Sequence, residues 1–170
     1  MRRQLETSSI QAMNAAAFAG ATSSPPERIR CVAQRSCLPA LLSLTDSYCA
    51  RHQVDPQSQH DLRLIVEEAC VNVISHAYPP GAPGPLALQI EARQHGGRPV
   101  MEITIEDQGR PFNPLALPAP DRTGPLEDLP IGGLGVHLIR SLSDLQHYSH
   151  DRQRGNVFTI TKFLPPARHE

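Results

Sequence analysis

Glu68 and Asn72 are four residues apart in the run Glu67-Glu68-Ala69-Cys70-Val71-Asn72. On a helix they project from one face, about one turn from each other. A carboxylate and an amide oxygen held in that way suit a hard cation such as Mg²⁺, shared with phosphate oxygens and water. The carboxylate can instead accept a proton from an attacking hydroxyl. Taken alone, the segment reads more readily as a helix face crossing from core to solvent, because Ile65 and Ala69 share that side.

Two further segments carry possible chemistry. In Ile105-Glu106-Asp107-Gln108-Gly109-Arg110-Pro111-Phe112 a strand ends in an acid, and Gly109 permits a sharp turn. An Asp so placed in a pocket can accept a hydrogen bond from an exocyclic amine, as on adenine. A plain strand-ending turn uses the same residue types. In Ile131-Gly132-Gly133-Leu134-Gly135-Val136-His137, glycines precede a helix. Their backbone N–H groups can face an anion, and the helix N-terminus adds positive potential. No Gly-Lys-Ser/Thr follows, so this is not a P-loop, and no strand precedes it as a dinucleotide fingerprint requires. A flexible hinge remains open for this piece.

These segments need elements to hold them. Residues 28–33 alternate polar and apolar, as a half-buried strand does. Pro39 opens a helix whose apolar stripe is Leu41, Leu42, Leu44, Tyr48 and Cys49. After a connection at 52–56, with Asp55 and Pro56 as a helix start, a long helix is predicted over 57–77 and stops before Pro79-Pro80-Gly81. Strands over 86–93 and 100–107 form a hairpin around Gly96-Gly97. Residues 108–131 form a long, proline-rich loop of the kind that is usually functional. A helix ending near Leu142 and strands over 145–150 and 156–163 complete the chain. This order predicts an α+β fold: a two-layer sandwich with helices on one face of a mixed, mainly antiparallel sheet.

The totals agree. A chain of 170 residues fits one domain with a real core. Its formal net charge of -1 argues against nucleic acid or an anionic membrane as partner. No apolar run reaches the roughly 18 residues that a membrane span requires. Cys31, Cys37, Cys49 and Cys70 include no Cys-x-x-Cys pair and read as reduced thiols, hence a cytoplasmic setting. Arg2 and Arg3 ahead of the small residues 15–21 loosely imitate a secretory signal, but Glu6 and Asn14 interrupt it. Residues 1–25 are therefore expected to be a flexible extension, and 26–166 the domain. From Met1 at the start and the last apolar run ending near Leu164, a stand-alone chain is expected in preference to an excised module.

Order and spacing of the three segments together resemble the GHKL (Bergerat-fold) ATPase superfamily, whose N, G1 and G2 boxes follow one another in this order. Within it the chain looks most like the anti-sigma-factor serine kinases, from roughly Ile29 to Leu164. The likeness is carried by Glu68-Ala69-Cys70-Val71-Asn72 with His76-Ala77-Tyr78, by residues 107–114, by residues 130–139 and by Gly155-Asn156-Val157-Phe158-Thr159.

That resemblance implies roles. Glu68 would be the general base, and Asn72 would coordinate a Mg²⁺ that bridges the phosphates of ATP. Asp107 would bind the adenine amine, with Gly109 giving the ring room. Gly133, Leu134 and Gly135, with Val136 beside them, would line the phosphate end, and residues 113–131 would form a lid. His76 would touch phosphate or pack against the following turn, and Arg110 or Arg122 would reach the γ-phosphate or, as is commoner for loop arginines, stay solvated. A polar adenine contact is expected from Asn156 or Thr159, the choice depending on strand register. Expected partners are a STAS-type anti-sigma-factor antagonist, phosphorylated on serine, and a sigma factor, with a homodimer possible. A non-catalytic, partner-sequestering ATP-binding module and an ATPase module of a larger signalling system are the alternatives. Pro130 departs from the glycine of many relatives. No phosphoacceptor-histidine helix or receiver domain accompanies the ATPase, which disfavours a sensor histidine kinase.

Overall fold

A computed structural model describes residues 25–117 and 133–166. Along the chain run β1 (Glu27–Val32), α1 (Leu38–Arg51), α2 (Pro56–His76), β2 (Pro85–His95), β3 (Arg98–Asp107), α3 (Gly133–Leu142), β4 (Leu145–Asp151) and β5 (Gly155–Phe163). The strands form one sheet in the order β1-β2-β3-β5-β4. Every pairing among the described residues is antiparallel, so the sheet has no parallel pair. Two of the pairings are hairpins, β2–β3 and β4–β5, which direct consecutive strands in opposite senses.

Strand periodicity sorts the side chains. Met101, Ile103 and Ile105 on β3, Leu86, Leu88 and Ile90 on β2, and Phe158 and Ile160 on β5 all face the helices and are buried. Against them pack Leu41, Tyr48 and Cys49 of α1, Leu62, Ile65, Val66 and Cys70 of α2, and Ile139 of α3. Glu91, Glu102, Thr104 and Glu106 lie at the intervening positions, on the side away from the helices. This is the two-layer α+β sandwich that the order of the elements predicted, with the sheet antiparallel throughout the described residues instead of mixed.

Local chemistry sets the ends of α2, the helix that carries Glu68. The Asp55 side chain accepts the Ser58 N–H at 3.0 Å, and Pro56 occupies the first turn. Its second turn is held by Lys162 of β5. The ammonium lies 2.8 Å from Asp61 Oδ2 and donates to the Leu142 carbonyl at 2.9 Å, so one side chain joins α2, the end of α3 and β5. Tyr48 of α1 accepts the Ala92 N–H at 3.1 Å, covering the part of β2 that extends past β1.

Candidate nucleotide site

The acid at the end of β3 is the better-defined half of the site. Asp107 continues the inward face of Met101, Ile103 and Ile105, and it is buried where the sheet reaches the end of α2. Opposite it in register stands Asn156 of β5. The Asn156 amide donates to Asp107 Oδ1 at 2.8 Å and to the Arg110 carbonyl at 3.1 Å. In turn the Tyr148 hydroxyl donates to Asn156 Oδ1 at 2.7 Å. The Gly109 N–H also reaches Asp107 Oδ1, at 2.8 Å. Both hydrogen bonds to this carboxylate among the described residues therefore fall on one oxygen. Burial pushes the Asp107 carboxyl above its ordinary range, while the Asn156 and Gly109 hydrogen bonds and the charge of His150 oppose the rise.

Register decides which polar residue of β5 belongs here. Asn156, Phe158 and Ile160 share the inward face, whereas Thr159 is of opposite parity and faces away. Gly155, at φ +73°, lets the β4–β5 turn come against Asp107: a Cβ there would overlap the Asp107 carbonyl oxygen and stand 3.1 Å from Gln108 Cδ.

Gly109 acts differently from the expectation. A Cβ there would run into Ala77, 2.6 Å from its Cβ and 2.8 Å from its carbonyl carbon, and the next N–H, of Arg110, donates to the Ala77 carbonyl at 3.0 Å. The space that a side chain at this position would take is filled by Ala77 at the end of α2. The turn clasps that helix and aims its own N–H at Asp107.

At the other half, Glu68 and Asn72 face the start of α3. A Cβ built on Gly135 would overlap Glu68 Oε2 and stand 3.4 Å from Glu68 Cδ and 3.7 Å from Asn72 Nδ2. The carboxylate, the amide and the N-terminal turn of α3 therefore lie against one another, and the dipole at such a helix start favours negative charge. Gly133 is the first residue of α3, and Leu134 is 64% exposed beside it. Val136 is 2% exposed, so its side chain belongs to the packing under the helix and only its backbone can serve a ligand. Among the described residues no three His, Cys, Asp or Glu side chains cluster to hold a metal. One amide oxygen and one carboxylate fit Mg²⁺ that keeps its waters and takes phosphate oxygens for its other ligands.

The remaining candidates lie apart or out of view. His76 is exposed on the last turn of α2, and the Arg110 side chain is exposed as well. Arg122, Pro130, Gly132 and most of the expected lid lie outside the described residues, as do residues 1–24. The start of that lid is anchored: Arg140 of α3 donates to the carbonyls of Leu117 and Pro114, each at 3.0 Å. Sequence reasoning had no roles for Tyr148, Arg140 or Gly155. Tyr148 carried a usable signal, an aromatic with a hydroxyl at the inward phase of an otherwise polar strand.

A family profile described as the histidine kinase-like ATPase domain matches residues 31–162, a span that contains both halves of the site. The chain belongs to this family. The histidine kinase-like ATPase domain here is 38% identical over 108 residues to the serine-protein kinase RsbW of Halalkalibacterium halodurans, covering 61% of this chain and 62% of that one. It is 31% identical to RsbW of Bacillus mycoides over 61% of this chain and 63% of the relative. The chain thus spans somewhat less than two thirds of the length of the relatives it matches. Two solved structures share the fold at 17% identity. The RsbU and RsbW domains of a Mycobacterium tuberculosis protein superpose with a TM-score of 0.56, over 86% of this chain and 35% of that one. The SiaB-SiaC complex of Pseudomonas aeruginosa gives 0.50, over 94% and 99%. No helix among the described residues is long and apolar enough to cross a membrane.

Proposed function

We propose that this ATPase domain is a serine-protein kinase that uses Mg-ATP to phosphorylate a STAS-type anti-sigma-factor antagonist, and that it also holds a sigma factor in a cytoplasmic partner switch. Residues 26–166 are the working unit in this reading. The observation that carries it is the convergence of Glu68 and Asn72 on Gly135, in the first turn of α3. Likeness to relatives named serine-protein kinase supports the same assignment.

The chain's own groups divide the work. Asp107, steadied by Asn156, accepts the adenine amine and fixes the base end. Gly133 to Val136 present backbone N–H groups to the phosphates, and Asn72 would hold Mg²⁺, which would supply positive charge to offset that of the phosphates. Glu68 accepts the proton of the substrate serine as its oxygen attacks γ-phosphorus and the bond to the β-bridging oxygen breaks, releasing ADP. Positioning and preset dipoles supply most of the rate in such transfers.

Incubation with γ-labelled Mg-ATP and a candidate antagonist should yield phosphoserine. Glu68→Gln should lower transfer by about 10²-fold or more while nucleotide affinity stays close to wild type. Label transfer by Glu68→Gln at the wild-type rate would remove Glu68 from the chemistry. A sequestering role without catalysis has its own support: Phe112 and Leu134, which bracket the expected lid in sequence, are 45% and 64% exposed and would suit a protein partner. If Glu68→Gln still captures sigma factor, that role stands apart from transfer.

A further inference from the structure

The register of the sheet brings Pro85 of β2 opposite Gln108, one step beyond the Leu86–Asp107 pair. The Ala33 N–H donates to the Gly84 carbonyl at 2.8 Å, so Gly84 and Leu86 turn their hydrogen-bonding groups toward β1, and Pro85 and Ala87 turn theirs toward β3. The next rung of the β2–β3 ladder is therefore Gln108 N–H to Pro85 C=O. Proline has no N–H, so this rung can hold one bond only.

A side chain occupies that rung. The Tyr78 hydroxyl accepts the Gln108 N–H at 2.7 Å and donates to the Pro85 carbonyl at 2.5 Å. Both backbone groups are satisfied, but through an inserted oxygen that holds the two strands further apart than a direct bond of roughly 2.9 Å would. The insertion is built rather than incidental. Gly84 admits the ring, because a Cβ there would stand 2.7 Å from Tyr78 Cζ. Tyr78 follows directly on Ala77, which meets Gly109 and Arg110 on the far side of Asp107. Burial raises the phenol above its ordinary value, which keeps it a hydroxyl that can donate and accept at neutral pH.

We propose that Tyr78 is a positioning residue for base recognition, its hydroxyl wedging open the last β2–β3 rung and so setting where the Asp107 carboxylate stands. The idea rests on the assignment of Asp107 to the adenine amine. Without the hydroxyl, Gln108 and Pro85 can bond directly, the strand end closes toward β2, and Asp107 moves with it. Such a change removes little stability, since one satisfied rung replaces another.

The test compares ATP with purine riboside triphosphate, which lacks the 6-amino group, by equilibrium titration on the full chain with Mg²⁺. Wild type should favour ATP by about tenfold or more, the worth of a hydrogen bond to a charged acceptor. In Tyr78→Phe the ratio should fall to within about twofold of unity, while affinity for the purine nucleotide and the melting temperature change little. Gly84→Ala, which displaces the ring and leaves the hydroxyl in place chemically, should give the same collapse and serves if Tyr78→Phe fails to fold. A merely structural tyrosine would weaken both nucleotides equally and leave the ratio intact, and that result overturns the proposal. If wild type itself fails to distinguish the two nucleotides, the assignment of Asp107 is what fails and the proposal falls with it. A discriminating wild type with collapse in Asp107→Asn but not in Tyr78→Phe keeps the assignment and rejects the wedge.

Discussion

Asn156 stands directly across the β3–β5 ladder from Asp107 and donates its amide to Asp107 Oδ1 at 2.8 Å. The Tyr148 hydroxyl, bonded to the oxygen of the same amide, fixes which way the Asn points. A buried carboxylate is thereby held in one orientation by a side chain that is itself held. Asn156→Ala should loosen ATP binding by about tenfold, and Tyr148→Phe by less, because it removes only the group that orients Asn156. Titration calorimetry would measure both. A larger loss from Tyr148→Phe than from Asn156→Ala would contradict this order.

The same burial makes Asp107 a stability cost in the absence of nucleotide. Its carboxyl is raised above the unfolded value, chiefly by desolvation. The folded chain therefore holds that proton more tightly than the unfolded one. Stability from this group is present below the ordinary carboxylate range and is lost as pH rises through the raised value. Asp107→Asn in the nucleotide-free protein should accordingly melt higher than wild type at neutral pH, and the advantage should shrink as pH falls into the ordinary carboxylate range. ATP affinity should drop at the same time. Melting curves across pH would read the effect, and an Asn variant that melts lower at neutral pH would reverse the sign argued here.

At the phosphate end the decisive contact is Gly135 against Glu68. Alanine is the better helix former by about 0.5–1 kcal/mol, so Gly135→Ala carries no propensity penalty. Its methyl group would nonetheless have to displace the Glu68 carboxylate. Phosphoryl transfer should fall about 10²-fold, the scale of a small misplacement in an oriented site, with the melting temperature within a few degrees of wild type. Circular dichroism melts alongside a transfer assay separate the two effects. Unchanged transfer would mean that Glu68 is free to move aside without consequence.

Lys162 offers a contrast, a residue of the frame and not of the site. With Asp61 11% and Lys162 14% exposed in their side chains, Lys162→Ala leaves the Asp61 charge without its cation in the packing between α2 and β5, bonded among the described residues only by the neutral Gln57 amide at 2.8 Å. Loss of one partner of a buried pair costs about 3 kcal/mol, or roughly 10 °C in a chain of this size. Lys162→Met should recover little, because the Asp61 charge remains, whereas Lys162→Met with Asp61→Leu should recover much of the loss. Thermal melts of the set would test this. Equal stability of Lys162→Ala and wild type would show that water reaches the pair.

Much of the architecture was readable along the chain because its signals are local. The 3.6-residue recurrence of Leu62, Ile65, Val66 and Ala69, the Asp55-Pro56 start and the Pro79-Pro80 stop bounded α2 to within a residue at each end. Alternation placed β1, β2 and β3, and the four-residue spacing of Glu68 and Asn72 put both on one helical face that meets α3. The order of the three segments was enough to indicate the family that the profile match then established.

Other features depend on contacts between distant parts of the chain, which no local pattern encodes. Choosing Asn156 over Thr159 required the β3–β5 register, because one step along a strand reverses the face. Gly109 proved to make room for Ala77, a neighbour more than thirty residues earlier, and Val136 sank its side chain into the core instead of the site. The Tyr78 hydroxyl between Gln108 and Pro85 is the plainest case. Periodicity depends on neighbours a few bonds away, but a hydroxyl finds its two partners only after a helix and a hairpin have packed together.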